Sequence, residues 1–399
     1  MRQKRGHKST SKWLDFADRR LNVPSGSPFD AWRLKKLTIK EFNLLGNSSS
    51  NISFNQLYYL SWFGLLAPTT HNSVPERFVL NPNSSEVEVW IDRQYILEHS
   101  DKTGRQATIS VGCCVKNIEI AASCFGISSS IKVFSLHEQE LSPYKGKNKR
   151  YIHLLTIHFE KKIKNQETFW LDLLLRRKVV RAEYNENIRL PTNLIEEMRY
   201  TIHNNFPQLS FFLILERQGL YNLAKLQEIA DRTVLENEGF SYELGKWLYS
   251  NKDEVNHLGM RGSEFGFDAR FSERIHRGLL KKERLLPDEI AAFASGGKAG
   301  IKSSSAVAII AVSSDSMLER LSAGRALELL ELLLEKHNFS ISIHAGMVEV
   351  ERVTKMLMGF LQTNRQPIVV FRIGQPIKQE DRNRPHTARP NLDDILLPS

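Results

Sequence analysis

Cysteine is scarce in this chain of 399 residues: only Cys113, Cys114 and Cys124 occur, two of them adjacent. None forms a C-x-x-C pair, which argues against a disulfide framework and a cysteine-built zinc site. That usage fits a reducing compartment. Long apolar runs are also missing. The apolar runs that do occur, such as residues 211–215 and 306–312, are far shorter than the roughly twenty apolar residues that span a bilayer. The basic, polar stretch 1–12 is not followed by the apolar core of a secretion signal. A cytoplasmic protein with no membrane partner is expected. Common chemical motifs are absent too: there is no H-E-x-x-H, G-x-S-x-G, G-x-G-x-x-G or P-loop. Gly296-Gly297-Lys298-Ala299-Gly300 has the glycines of a phosphate loop without its spacing or its preceding strand. His153 and His158 lie five apart on a predicted strand, so they face opposite sides and do not share a metal. No metal is expected.

The charge balance is uneven. Fifty-five Lys and Arg against forty-five Asp and Glu leave a net charge of +10, which favours anionic partners such as phosphate-bearing cofactors or nucleic acid. Basic and aromatic residues do mix near the N-terminus (Arg5, Lys8, Lys12, Trp13). No nucleic-acid-binding signature accompanies them, so a nucleic-acid partner is not expected.

The patterning predicts an α+β chain. Residues 1–52 read as a basic, loosely ordered segment. A helix starts at the cap Ser53 and is stopped by Ala67-Pro68. Residues 77–80 and 86–91 read as paired strands, the second alternating Val87, Val89 and Ile91 with polar partners. A buried helix over 112–125, strands at 131–134 and 151–159, and a short helix over 167–175 follow. Beyond them come a helix over 192–204, a strand at 211–215 and helices near 217–236 and 241–250. The glycine-rich stretch 251–305 reads as a long excursion with one helix near 271–283, of the kind that often serves as a lid. Strand 306–312, helix 317–338, strand 339–344, helix 350–361 and strand 368–373 complete the core. Residues 112–128 and 324–340 both run glycine, buried helix, strand, which suggests duplication.

Three places offer chemistry. Arg176, Arg177, Lys178 and Arg181 close an apolar helix, and guanidinium groups four apart suit a phosphate. The bland alternative is a solvated basic helix end set against the helix dipole. In Thr69-Thr70-His71-Asn72-Ser73-Val74-Pro75-Glu76, His71 and Asn72 offer donors and acceptors and Pro75 stiffens the turn; the alternative is a plain proline turn. Gly346, after strand 339–344, permits close backbone approach to a planar ligand, or is an ordinary loop glycine. Asp315, Glu319 and Glu328 read as a solvated helix face.

Together these segments resemble the nitroreductase family. Residues 67–78 resemble its A-P-S-x-x-N-x-Q-P-W segment, and residues 176–181 resemble its R-R-S/T-x-R segment. The glycine-helix unit 112–127 and the C-terminal run, with Arg325, residues 367–374 and Arg389-Pro390-Asn391-Leu392-Asp393, extend the resemblance from about residue 57 to residue 396. It points to the Acg-type branch, in which one chain holds two fused nitroreductase-like halves. The resemblance implies two halves, 53–166 and 167–399, the second carrying 251–305 as a lid-like insertion. Each half would be a mostly antiparallel sheet flanked by helices, and the chain a pseudo-dimeric monomer or a loose dimer. One FMN is implied per chain, bound by Thr69, His71, Asn72, Pro75, Arg176, Arg177, Arg181, Gly346 and Arg389. Activity would be NAD(P)H-dependent reduction of a small-molecule electron acceptor, such as a nitroaromatic or a quinone. Other outcomes are a non-enzymatic FMN-sequestering protein and a scaffold without cofactor. The chain departs from the family at three positions: Val74 replaces Gln, Glu76 replaces Trp, and Val179 replaces Ser or Thr.

Overall fold

The computed structural model describes residues 36–46, 51–134, 141–146, 149–161, 167–249, 258–265, 267–281, 283–384 and 386–398. Most of the N-terminal segment expected to be loosely ordered, and residues 250–257 around the start of the expected lid, lie outside them. Helix α1 (Ile39–Leu44) precedes α2 (Phe54–Gly64). Ser53 caps α2: its hydroxyl accepts from Gln56 N, and the Gln56 side chain returns to the Ser53 backbone, which satisfies two donors left open at a helix start. Strands β1 (Glu76–Asn81) and β2 (Glu86–Asp92) then pair antiparallel. Val87, Val89 and Ile91 are buried while Glu86, Glu88 and Trp90, which alternate with them, are only partly buried.

Next come α3 (Arg105–Cys124), β3 (Ile127–Val133), β4 (Tyr151–Lys161), α4 (Phe169–Arg176), α5 (Thr192–Asn205) and β5 (Ser210–Ile214). They are followed by α6 (Arg217–Glu236), α7 (Glu238–Trp247), the short strands β6 (Leu248–Tyr249) and β7 (Met260–Arg261), α8 (Ala269–Leu280) and α9 (Pro287–Lys302). Strand β8 (Ala306–Val312), α10 (Met317–Lys336), β9 (Ser340–Ile343), α11 (Glu351–Leu361) and β10 (Gln366–Gly374) close the core. The result is an α+β fold with two four-stranded antiparallel sheets flanked by helices, ordered β1-β2-β4-β3 and β5-β8-β10-β9. No described helix is long and apolar enough to cross a membrane.

The two sheets share one connection pattern. In each, an outer strand and a central strand are followed by a long helix (α3 or α10), the opposite outer strand, and the second central strand. The two long helices cross at glycine. A Cβ on Gly112 would lie 2.4 Å from Leu321 O, and one on Gly324 would lie 1.9 Å from Ile109 O. These residues begin the two repeat units read from the sequence, and only a residue without a side chain permits this backbone approach. Chain segments outside the strands also pair with each sheet. Val180 N donates to Ile341 O beside β9, and Leu397 N donates to Phe78 O beside β1, both at 2.8 Å.

Strand β8 is buried on both faces. Ala306, Ala308, Ile310 and Val312 join the main core between the sheets. Val307 and Ile309 join a second core with α6 and α11, as the two-residue period of a strand requires.

Two expectations are corrected. The stretch 251–305 holds a second helix, the sixteen-residue α9. Its glycines read as breakers, but neighbouring side chains account for two of them: a Cβ on Gly297 would lie 2.2 Å from Asp231 Oδ2, and one on Gly300 would lie 3.2 Å from Arg372 Nε. The acidic residues of α10 do not form a solvated face. Glu328 is fully buried, and Glu319 accepts from Ser313 N and Ser314 N at 3.1 and 2.8 Å, tying down the start of α10.

Candidate functional site

A cavity of about 410 Å³ opens between the turn after α2, the start of α3 and the second sheet with its helices, within the range of roughly 300–1,000 Å³ usual for small-molecule sites. The earlier part of the chain contributes the turn after α2, with Thr69 and His71, and the start of α3, with Ile109 and Cys113. The later part of the chain contributes Arg181, α6, α9, the end of β9 and the middle of β10. Phe240, Phe265, Phe267 and Phe293 form an aromatic wall. Phe265 and Phe267 stack with ring centroids 5.6 Å apart.

Arg181 has no hydrogen-bond partner among the described residues; its guanidinium lies over the Phe265 ring, 4.6 Å from the centroid. Burial holds it below the ordinary arginine value, with Glu264 opposing and Arg372 adding to the push. Arg372 takes the same strand face as Val370. Its Nη2 donates to Ala182 O at 2.7 Å, and its guanidinium lies 4.0 Å from the Tyr184 ring centroid. Nε and Nη1 of Arg372 are buried without a partner among the described residues. Leaving such donors unpaired costs about 1–3 kcal/mol or more per group, so this corner favours an anion. His344 Nε2 and His71 Nδ1 are also buried and unpartnered among the described residues. Burial, then Arg372 and Arg181, lowers His344 to about 3. Burial and Arg181 lower His71 to about 4. Both imidazoles are therefore neutral, and the positive charge of this corner belongs to the two arginines.

The remaining residues named from the sequence fall in different places. Thr69 and Gly346 line the cavity. A Cβ on Gly346 would meet nothing closer than Ala230 Cβ at 3.5 Å, so its space is open toward α6. Arg177 lies elsewhere in character. It is buried against Glu328 (2.8 Å) and Glu331 (3.2 Å) and donates to Leu66 O. Asn72 donates to Gly259 O and Ala388 O, both at 3.0 Å, and accepts from Arg389. Arg389 also donates to Leu65 O at 2.8 Å and Ala67 O at 3.1 Å. Asn72, Arg177 and Arg389 border a smaller hollow of about 90 Å³, which Thr69 and Arg181 also line. Arg176 points outward toward Glu335, 3.9 Å away. The Pro75 carbonyl accepts from Asp92 N at 2.8 Å and lines neither hollow.

Sequence reasoning missed Arg372, Gln227 and Asp231. Arg372 carried a signal, being the one charge in the buried run of β10. Gln227 and Asp231 carried none, since a four-residue spacing of polar groups is ordinary on a helix.

Gly296 stands where α9 borders the cavity, and a Cβ there would meet no atom within 4 Å. Gly296→Leu is expected to leave stability unchanged or raise it by about 1 kcal/mol through helix propensity. It should also slow ligand entry. Thermal unfolding and stopped-flow binding check both halves of that expectation.

Buried carboxyls set a pH dependence. Burial pushes Glu76, Asp101 and Asp231 up to about 7 and Glu349 up to about 8. Unfolded carboxyls titrate near 4, so between about pH 4 and 8 the folded chain holds more of these protons and stability falls as pH rises. The lowered histidines act with the opposite sign, but only below their unfolded value of about 6.5. The thermal midpoint is expected to be lower at pH 8 than at pH 6.5. A flat or rising midpoint across that interval would mean the carboxyls are already ionised in the folded chain.

No protein-family model matches this chain, and no curated protein matches it in sequence. Solved nitroreductases are similar in structure over somewhat more than half of it. The FMN-dependent nitroreductase NfnB from Mycobacterium smegmatis, in complex with NADPH, aligns at 13% identity over 58% of this chain and 99% of its own, with a TM-score of 0.39. The FMN and NADPH-dependent nitroreductase NfnB from sphigopyxis sp. strain HMH gives 14% identity, 58% and 98% coverage, and a TM-score of 0.38. The hypothetical oxidoreductase YcnD from Bacillus subtilis gives 10% identity, 53% and 67% coverage, and a TM-score of 0.31.

Proposed function

We propose that the cavity binds FMN and that the loaded protein is an NAD(P)H-dependent oxidoreductase acting on a small-molecule acceptor such as a nitroaromatic or a quinone. One observation carries the reading: Arg181 and Arg372 bring unpartnered guanidinium donors to a cavity of about 410 Å³ walled by four phenylalanines. A phosphate monoester, with a charge of about −1.5 to −2 near neutral pH, takes charge-assisted bonds from such donors. The apolar wall suits a flat ring system.

In this reading Arg181 and Arg372 hold the phosphate. Arg177, Arg389 and Asn72 keep the turn 67–72 in shape, so that Thr69 and His71 face the ligand. The phenylalanines exclude water, and the glycine face of α9 leaves room for the ring while limiting access as a lid. FMN supplies the redox chemistry between a nicotinamide donor and the acceptor. We further propose that the chain is a fused pair of nitroreductase-like halves of the Acg type, complete as a monomer. The repeated strand order, the Gly112–Gly324 crossing and a cavity lined by both halves support it.

Titrating the apoprotein with FMN, then adding NADH or NADPH under anaerobic conditions, tests the reading. Stoichiometric binding followed by bleaching of the flavin band is expected. Binding without bleaching would favour the sequestering alternative, and no binding would overturn the cofactor assignment.

A further inference from the structure

The cavity has a second polar corner with the opposite character. On α6, Gln227 Nε2 donates to Asp231 Oδ1 at 2.7 Å, which fixes both side chains one helical turn apart. The other oxygens, Gln227 Oε1 and Asp231 Oδ2, are buried with no partner among the described residues. Gln227 is 3% exposed and Asp231 6%, and both line the cavity. Gly297 is required opposite them, since a Cβ there would lie 2.2 Å from Asp231 Oδ2. The backbone of α9 thus approaches the pair closely without offering it a donor, and nothing among the described residues satisfies either acceptor. Arg181 and Arg372 want an acceptor, whereas Gln227 and, once its carboxyl ionises above about pH 7, Asp231 want a donor.

We propose that Gln227 and Asp231 form a specificity site that reads an N–H group of the bound ligand and, resting on the FMN reading above, accept from the imide N–H of its ring. Two buried acceptors side by side favour a ligand with an N–H in this corner. They reject one that carries an N-alkyl group there, because the acceptors would then stay desolvated and unpaired. Gln227 also orients the carboxyl, since its amide donates to one oxygen and leaves the other without a partner among the described residues. The pair thus sets which heterocycle is held, while the arginine corner sets the need for an anion.

The test compares FMN with its 3-methyl analogue, which keeps the phosphate and the ring shape but lacks the imide N–H. At pH 8 the native protein is expected to bind FMN at least about tenfold more tightly than the analogue, the scale of one hydrogen bond to a charged group. In Asp231→Ala that preference should shrink to about threefold or less, with affinity for the analogue nearly unchanged. The native measurement stands even if the variant fails to fold. Equal, tight binding of both flavins by the native protein would overturn this proposal and leave the cofactor reading intact. A preference that survives in Asp231→Ala would also overturn it. Binding of neither flavin would overturn both.

Discussion

Arg177→Met is expected to lower stability by about 3–5 kcal/mol, the scale of removing one partner from a buried ion cluster. Arg177 is 2% exposed, Glu331 3% and Glu328 0%, and burial raises both carboxyls against the pull of Arg177. Without the guanidinium, two buried carboxyls face each other with only the more distant Arg389 opposing their charge, and Leu66 O is left without the Arg177 donor. The carboxyls can escape by taking up protons, so the destabilisation should shrink as the pH falls. Urea unfolding at pH 6 and pH 8 measures this. A loss below about 1 kcal/mol at pH 8 would mean the cluster is not what holds α10 to the turn after α2.

The second large effect separates Arg181 from Arg177. Arg181→Ala combined with Arg372→Ala should cost little stability, because among the described residues only Ala182 O gives up a donor from these guanidiniums. FMN affinity should fall by about 1.5–3 kcal/mol for each charge-assisted hydrogen bond removed, or roughly tenfold to a hundredfold per arginine. Calorimetric titration of native and variant apoprotein gives the numbers. Unchanged FMN affinity would remove both arginines from the site.

The contrast between Arg177 and Arg181 marks how far the sequence could be read. Its periodicities located nearly every strand and helix, because amphipathic patterns such as Val87-Glu88-Val89 report burial directly. The glycines of the two repeat units were visible, although nothing in the sequence said that Gly112 and Gly324 would touch. The arginine cluster was visible as a cluster. What could not be read was how its members divide. That division depends on Glu328 and Glu331, some 150 residues later, arriving beside Arg177 and not beside Arg181. The same holds for α9, whose glycines look like breakers until Asp231 and Arg372 are seen pressing against them. Arg372 and the Gln227–Asp231 pair are brought to one cavity only by the packing of α6 and α9 against β10.

A comparison of FMN with riboflavin, which lacks the phosphate, tests the assignment of the arginine corner most directly. The native apoprotein is expected to bind FMN about a hundredfold or more tightly than riboflavin, and the Arg181→Ala, Arg372→Ala variant should bind the two alike. Equal affinities in the native protein, or a phosphate preference that survives removal of both arginines, would contradict it.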